Sequence, residues 1–189
     1  GTTTSSNQEV SPSVAMKDNG NFIIVWRNVV GSNTYDILGR YYETASTSGT
    51  LQTISSSSSS LEKKSPSISM NKNGSAVVVW HSIDQVNASS SNDIFGQRLD
   101  DNFQKVGGEF QVNTYTTNSQ DTPDIVLCDD NNFVIVWDGE GTGDSQGIFG
   151  QQYKNKFKTT ARYYVDDSAT GNNSGADWTN AFTTLSEAV

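Results

Sequence analysis

Three apolar runs recur along an otherwise polar chain: FIIVW at 22–26, AVVVW at 76–80 and FVIVW at 133–137. A strand of an antiparallel sheet with one face in water alternates apolar and polar residues, and these runs do not alternate. Continuous runs of β-branched and aromatic residues indicate strands that are buried on both faces. We therefore predict three core strands, each ending at a tryptophan.

An alternating segment precedes each run: SPSVAM, SPSISM or TPDIVL. The proline of each segment lies 14 residues before the tryptophan of the same repeat; the pairs are Pro12 and Trp26, Pro66 and Trp80, and Pro123 and Trp137. Between segment and run lie the turns DNGN, NKNGS and DDNN, whose Asn and Gly residues supply the positive φ of tight hairpins. Each pair therefore predicts a two-stranded hairpin.

Two further strands follow each tryptophan. The third strand of each repeat, DILGRYY, DIFGQRL or GIFGQQY, carries a glycine (Gly39, Gly96 or Gly150) that indicates close approach of a neighbouring element. LQTI, EFQVNT and RYYVD then supply the fourth strands. The chain thus divides into repeats at about residues 8–60, 61–118 and 119–166, which together form one β domain over 1–166.

This pattern predicts an all-β fold in which three four-stranded antiparallel repeats pack as propeller-like blades. Closed propellers have about four to eight blades, so three repeats call for additional blades or other copies of the chain. Three-fold closure, as in a β-trefoil, is the alternative. Residues 167–189 predict a short C-terminal helical tail or the start of a further module, with Phe182, Leu185 and Val189 on one face and Asp177 or Thr179 as its cap.

The composition of the 189 residues, 33% hydrophobic and 17% charged with abundant Ser, Thr, Asn, Gln and Gly, is typical of an extracellular β protein with polar loops. The net charge of −9 argues against nucleic acid or an anionic membrane as a partner. No segment approaches the roughly 20 apolar residues of a membrane span. A single cysteine, Cys128, allows no intramolecular disulfide and is expected near a strand end as a small hydrophobic residue.

The repeats resemble those of large secreted bacterial surface proteins. SPSVAMKDNGNFIIVW, DILGRYY and IFGQRLDDNFQKVGGEFQVNT are similar to family repeats that read PSVAM, DG, FVVVW, an acidic glycine-rich loop, IFGQRFD and GxEFQVNT. Only the third loop here, DGEGTGDSQ, keeps the acidic glycine-rich character. The tail YYVDDSATGNNSGADWTNAF resembles the entry segment of right-handed parallel β-helix domains. The resemblance implies an extracellular or cell-surface location.

Two acidic segments are candidate calcium sites, because Ca²⁺ takes about 6–8 oxygen ligands, which carboxylates close together in a flexible loop provide. The first comprises Asp138, Glu140 and Asp144. The second comprises Asp166, Asp167, Asn172, Asn173 and Asp177. The first does not follow the EF-hand spacing, and a solvated loop or turn is the alternative for both. The single histidine, His81, has no second histidine or adjacent cysteine with which to form a metal site and is predicted at a loop edge.

Three functions are compatible with this sequence. The first is an extracellular structural or adhesive module without catalysis, which assembles into homo-oligomers or filaments through exposed sheet edges. The alternative is a lectin-like, carbohydrate-binding module, whose aromatic contact to the sugar would come from Tyr35, Tyr115 or Trp178. The third is an accessory region of a glycan-active enzyme. No catalytic constellation is visible in the sequence, so the structural module is the predicted function.

Overall fold

The computed structural model describes residues 8–29, 35–44, 46, 48–56, 62–83, 91–154 and 157–165, the last range as backbone only. These residues form twelve β-strands and no helix. The strands are β1 (Gln8–Met16), β2 (Phe22–Val29), β3 (Tyr35–Tyr42), β4 (Thr50–Thr53), β5 (Lys63–Met70), β6 (Ala76–Ile83), β7 (Asn92–Leu99), β8 (Lys105–Gln111), β9 (Gln120–Leu127), β10 (Phe133–Gly141), β11 (Asp144–Lys154) and β12 (Phe157–Val165).

Each set of four consecutive strands forms one antiparallel sheet with its strands in chain order. We call β1–β4 the first blade, β5–β8 the middle blade and β9–β12 the third blade. The predicted all-β fold of three four-stranded antiparallel repeats is confirmed. The predicted helix at 177–189 lies outside the described residues. Within the described part, no helix is long and apolar enough to cross a membrane.

The predicted tight turns join the first two strands of every blade. Gly20 and Gly74 have positive φ angles of 86° and 98°, and Asn131 takes this position in the third blade with a φ of 64°. Asparagine adopts this left-handed conformation at lower cost than most residues. A backbone bond closes each turn, as between the amide of Lys17 and the carbonyl of Asn21 (3.0 Å). The loss of glycine from the third turn therefore leaves the hairpin intact.

The proline-to-tryptophan spacing corresponds to a β-bulge in the first strand of each blade. In the middle blade the register of β5 against β6 shifts between Lys64 and Ser67, so two residues of β5 lie opposite Trp80 alone. The first and third blades have equivalent shifts. The first bulge residue has a positive φ in every blade: 54° at Ser11, 49° at Ser65 and 44° at Thr122. The second is the proline, so the side-chain alternation changes phase at this point.

The blades stack face to face, and their first strands β1, β5 and β9 lie side by side. Each blade has a tryptophan face, which carries the tryptophan of its second strand, and a valine face, which carries the residue just before it. The valine face of the first blade packs on the tryptophan face of the middle blade, through Ile23, Val25, Val78 and Trp80. The valine face of the middle blade packs on the tryptophan face of the third, through Val77, Val79, Ile135 and Trp137. This is the stacking of propeller blades.

Burial of the apolar runs follows from this stacking. All five residues from Ala76 to Trp80 in the middle blade are at most 3% exposed, which confirms the prediction of burial on both faces. In the first blade Ile23 and Val25 are buried while Ile24 and Trp26 are half-buried. Among the described residues, the runs of the outer blades thus have another blade packed on one face only.

Two of the strand glycines serve close packing against described side chains. A Cβ atom on Gly39 would lie 2.9 Å from Ile54 Cδ1, and one on Gly96 would lie 2.7 Å from Phe110 Cζ. The predicted close approach is therefore present at Gly39 and Gly96. The residue of β12 that faces Gly150 is Tyr163, which is described as backbone only, so the expectation for Gly150 stays a prediction.

Candidate functional site

The buried histidine His81 lies between the middle and third blades, close to the end of β6. Its Nδ1 atom is 3.6 Å from Oδ1 of Asp121, at the start of β9. Asn92, at the start of β7, donates a hydrogen bond from Nδ2 to the same oxygen at 2.6 Å. Strand ends from two blades thus bring an imidazole, a carboxylate and an amide together. We call these three residues the His81 cluster.

Burial controls the protonation of His81. The residue is 4% exposed, and this desolvation lowers the pKa of its imidazole below the ordinary 6.5, against the opposing effect of the Asp121 carboxylate. Lys64 adds to the lowering, while Glu62 and Asp138 oppose it. The imidazole is therefore neutral at neutral pH, with one nitrogen able to accept a hydrogen bond and the other able to donate one. Neither ring nitrogen has a hydrogen-bond partner among the described residues.

A second group of charges at the same end of the sheets connects the first and middle blades. Glu62 Oε1 lies 2.8 Å from Lys64 Nζ and 3.4 Å from Arg27 Nη2. The Arg27 guanidinium also stacks over the Tyr35 ring, 4.2 Å from its centroid. Tyr35 is therefore covered by a cation on one side. This group extends the polar surface from the His81 cluster across both blade junctions.

Next to this group of charges lies a fully buried lysine, Lys63, whose role is structural. Lys63 is 0% exposed, and its Nζ atom lies 3.6 Å from Asp36 Oδ1 and 3.3 Å from the carbonyl oxygen of Tyr35. A buried ammonium is tolerated when it is paired and hydrogen-bonded in this way. Lys63 is thereby fixed between the first and middle blades.

The residues of the first predicted calcium site lie along the β10–β11 hairpin. Asp138 is exposed and is the register partner of Asp121. Glu140 Oε2 accepts a hydrogen bond from Asn118 Nδ2 (2.6 Å), and Asp144 Oδ1 accepts one from the amide of Gln146 (2.9 Å). Across the described part of the chain, no group of three or more His, Cys, Asp or Glu side chains is arranged to hold a metal ion.

The residues of the second predicted calcium site, Asp166, Asp167, Asn172, Asn173 and Asp177, lie outside the described residues. Calcium binding stays a prediction. Of the aromatic residues predicted to contact a sugar, Tyr115 is half-buried after β8 and Trp178 falls outside the described part.

Two sequence-based expectations about single residues were wrong. His81 does not lie at a loop edge: it continues β6 in step with Val77 and Val79, whose face is packed against the third blade. This alternation was the signal that could have located it. Cys128 does follow β9 directly, but it is exposed and not a buried hydrophobic residue. The turn after β9 places it in solvent.

Comparison with known proteins gives matches in structure alone. No family model matches the chain, and no curated protein sequence matches it. Among solved structures, Hadza microbial sialidase Hz136 matches 84% of this chain with a TM-score of 0.59 and 9% identity. The GH43 endo-arabinanase from Bacillus licheniformis matches 93% of this chain with a TM-score of 0.53 and 16% identity. The endo-arabinase from Bacteroides thetaiotaomicron VPI-5482 matches 80% with a TM-score of 0.51 and 14% identity.

The chain spans 37% of the sialidase, 58% of the Bacillus endo-arabinanase and 60% of the Bacteroides endo-arabinase. At these identities the likeness shows the fold, which these enzymes share over most of the present chain. The prediction of a structural, adhesive module without catalysis is contradicted by this finding, because the architecture is that of carbohydrate-active enzymes.

Proposed function

We propose that this chain is the carbohydrate-recognising part of a carbohydrate-active protein of propeller fold, and that the sugar contacts the His81 cluster. The observation that carries the proposal is the partly exposed carboxylate of Asp121, which Asn92 Nδ2 contacts at 2.6 Å and the buried His81 supports from behind, at the ends of strands from two blades. The fold is shared with a sialidase and two endo-arabinanases, which supports carbohydrate as the ligand class. Extracellular localisation, expected from the composition and the repeat resemblance, belongs to the same proposal.

The chemistry of the cluster suits a hydroxyl-rich ligand. Each sugar hydroxyl donates one hydrogen bond and accepts others, so a sugar site needs both donors and acceptors. Asp121 and Asp138 supply acceptors, and Asn92 and Lys64 supply donors. The His81 ring is buried, so its part is to support Asp121 and not to contact the sugar.

Binding is tested by calorimetry with arabinan and with a sialylated oligosaccharide, using a cellulose-derived oligosaccharide as a negative control. We expect one of the first two to bind, and Asp121→Asn to weaken binding by about tenfold or more, because it removes a charge-assisted hydrogen bond. His81→Asn should weaken binding less, because His81 acts only through the position of Asp121. Asp101→Asn is the matched control, since Asp101 is exposed in the turn between β7 and β8. Binding that is unchanged in Asp121→Asn and His81→Asn contradicts the site, and failure of both ligands contradicts the proposed ligand class.

Glycan cleavage at the same place is a second candidate function. Glycoside hydrolysis uses two carboxyl groups on either side of the scissile bond. Asp121 and Asp138 are register partners on neighbouring strands, and both act electrostatically on His81. Release of reducing sugar from a bound polysaccharide, lost in Asp138→Asn while binding is kept, is the expected result. Binding without any release by the unmodified chain contradicts this candidate and leaves the binding function in place.

A further inference from the structure

Both junctions between blades in this chain follow the same rule. In each, the valine face of one blade packs on the tryptophan face of the next blade along the chain. Two different faces have no blade packed against them in the described part of the chain: the tryptophan face of the first blade and the valine face of the third blade.

The tryptophan face of the first blade is more exposed at equivalent positions than the tryptophan faces of the other two blades. Val14 is 62% exposed, whereas the residues in its place in the middle and third blades, Ile68 and Ile125, are 6% and 9% exposed. A hollow of 260 Å³ also lies on this face, and its lining includes Trp26, Tyr42 and Pro12. The corresponding tryptophan of the middle blade, Trp80, is 0% exposed.

The valine face of the third blade is likewise more exposed than the valine faces of the other two blades. Ile148 is 44% exposed, whereas its equivalents Ile37 and Ile94 in the first and middle blades are both 0% exposed. Val126, on the same face, is 51% exposed. Apolar side chains that are exposed here and buried at the equivalent positions of the other blades form a surface suited to an interface.

We propose that a second copy of this chain covers both faces. The valine face of the third blade of each copy docks on the tryptophan face of the first blade of the other copy. The two interfaces are identical, and each repeats the junctions already present within the chain. Two copies of three blades make a ring of six, within the range of about four to eight blades in which propellers close. A head-to-tail contact that closes in this way produces a dimer and not a fibre.

Charge opposes this association moderately. Each chain carries a net charge of −9, so two copies repel one another at low ionic strength. The interface itself is apolar, and its hydrophobic attraction is not screened by salt. The dimer is therefore expected to strengthen as salt is raised, opposite to the behaviour of an interface held by ion pairs.

The test measures the solution mass of the whole chain by sedimentation velocity and light scattering at two salt concentrations. We expect a species of twice 20.5 kDa, close to 41 kDa. Val14→Glu and Ile148→Glu each place a carboxylate in one of the two faces, at positions exposed in the monomer, so the fold tolerates them. Each is expected to raise the dimer dissociation constant by at least about a hundredfold. Thr114→Glu, at an exposed position after β8 in the middle blade, is the control and keeps the dimer.

An equimolar mixture of the two face variants separates this ring from other dimers. In a mixed pair one interface joins two unmodified faces and the other joins two modified faces, so we expect partial recovery of dimer in the mixture. A contact between two tryptophan faces would be broken by Val14→Glu and unaffected by Ile148→Glu. That pattern, or a wild-type chain that stays at 20.5 kDa at its highest soluble concentration and at both salt concentrations, overturns the proposal.

Discussion

The contrast between Gly96 and Gly108 predicts opposite outcomes for the same substitution on two neighbouring strands of the middle blade. Gly96→Ala adds a Cβ atom 2.7 Å from Phe110 Cζ, nearer than a carbon–carbon contact allows. The Phe110 ring has little freedom to yield, because Arg98 lies 4.8 Å from its centroid and Tyr153 packs edge-on at 5.5 Å. Gly108→Ala adds the same atom at an exposed position of β8, with no described neighbour within 4 Å.

The expected change in the free energy of unfolding combines two effects. Inserting a methyl group into a packed region costs about 1–3 kcal/mol. Replacing glycine by alanine at a compatible backbone conformation returns about 0.4–1 kcal/mol, since the unfolded chain loses freedom. Gly96→Ala should therefore lower the free energy of unfolding by roughly 1–2 kcal/mol, which for a chain of this length is about 2–8 °C in Tm. Gly108→Ala should be neutral or stabilising by up to about 1 kcal/mol.

Both substitutions are best measured by urea and thermal unfolding in the Ile148→Glu background. This background keeps every sample monomeric, so the comparison reports on the fold alone. Phe110→Leu combined with Gly96→Ala is a second control, because a smaller side chain makes room for the new methyl group and should recover part of the loss. A Gly96→Ala chain at least as stable as Gly108→Ala refutes the packing argument.

Three further predictions concern the pKa, a buried network and the bulge. Because burial lowers the pKa of His81, the unfolded chain binds a proton more readily than the folded chain, so the free energy of unfolding should fall as the pH drops below about 6.5. NMR titration of the only imidazole in the chain tests this. His81→Asn should remove this contribution to the pH dependence of stability. Asn113→Ala removes the acceptor of the Ile94 amide (2.8 Å) and a donor to Asp93 (2.6 Å), which should cost about 1–3 kcal/mol in urea unfolding; an unchanged midpoint would contradict it. Thr122→Gly relieves a β-branched residue held at a φ of 44° and should raise the free energy of unfolding by about 1 kcal/mol, and a less stable variant would show that the bulge is unstrained.

The fold was predictable from local patterns because each pattern has a direct physical cause. The continuous run AVVVW requires cover on both sides, and β6 is buried throughout. Asn-Gly turns need positive φ, and Gly74 adopts it at 98°. The prolines lie at the bulge within each first strand and not at its start, because a bulge also tolerates a residue without an amide proton.

The site was less predictable, since its residues come from separate blades. His81 and Asp121 are 40 positions apart in sequence, and only the face-to-face stacking of the middle and third blades brings them to 3.6 Å. The acidic loop around Asp138 and Asp144 was conspicuous in sequence but extends as a hairpin, with its side chains engaged locally. Proximity along the chain was therefore a poor guide to proximity in space, as is usual where strands of a sheet alternate their side chains.

The bulge opposite each tryptophan has a consequence for how this protein can change. The bulge adds one residue at that point, so the residues before it do not follow the inward–outward alternation of side chains that packing requires in the rest of the strand. The residues just before the bulge already differ between blades: Val10, Lys64 and Asp121 occupy equivalent places and carry no charge, a positive charge and a negative charge. The blade body can thus stay constant while its rim diversifies, so mutagenesis libraries confined to these three positions should yield folded variants with altered ligand preference.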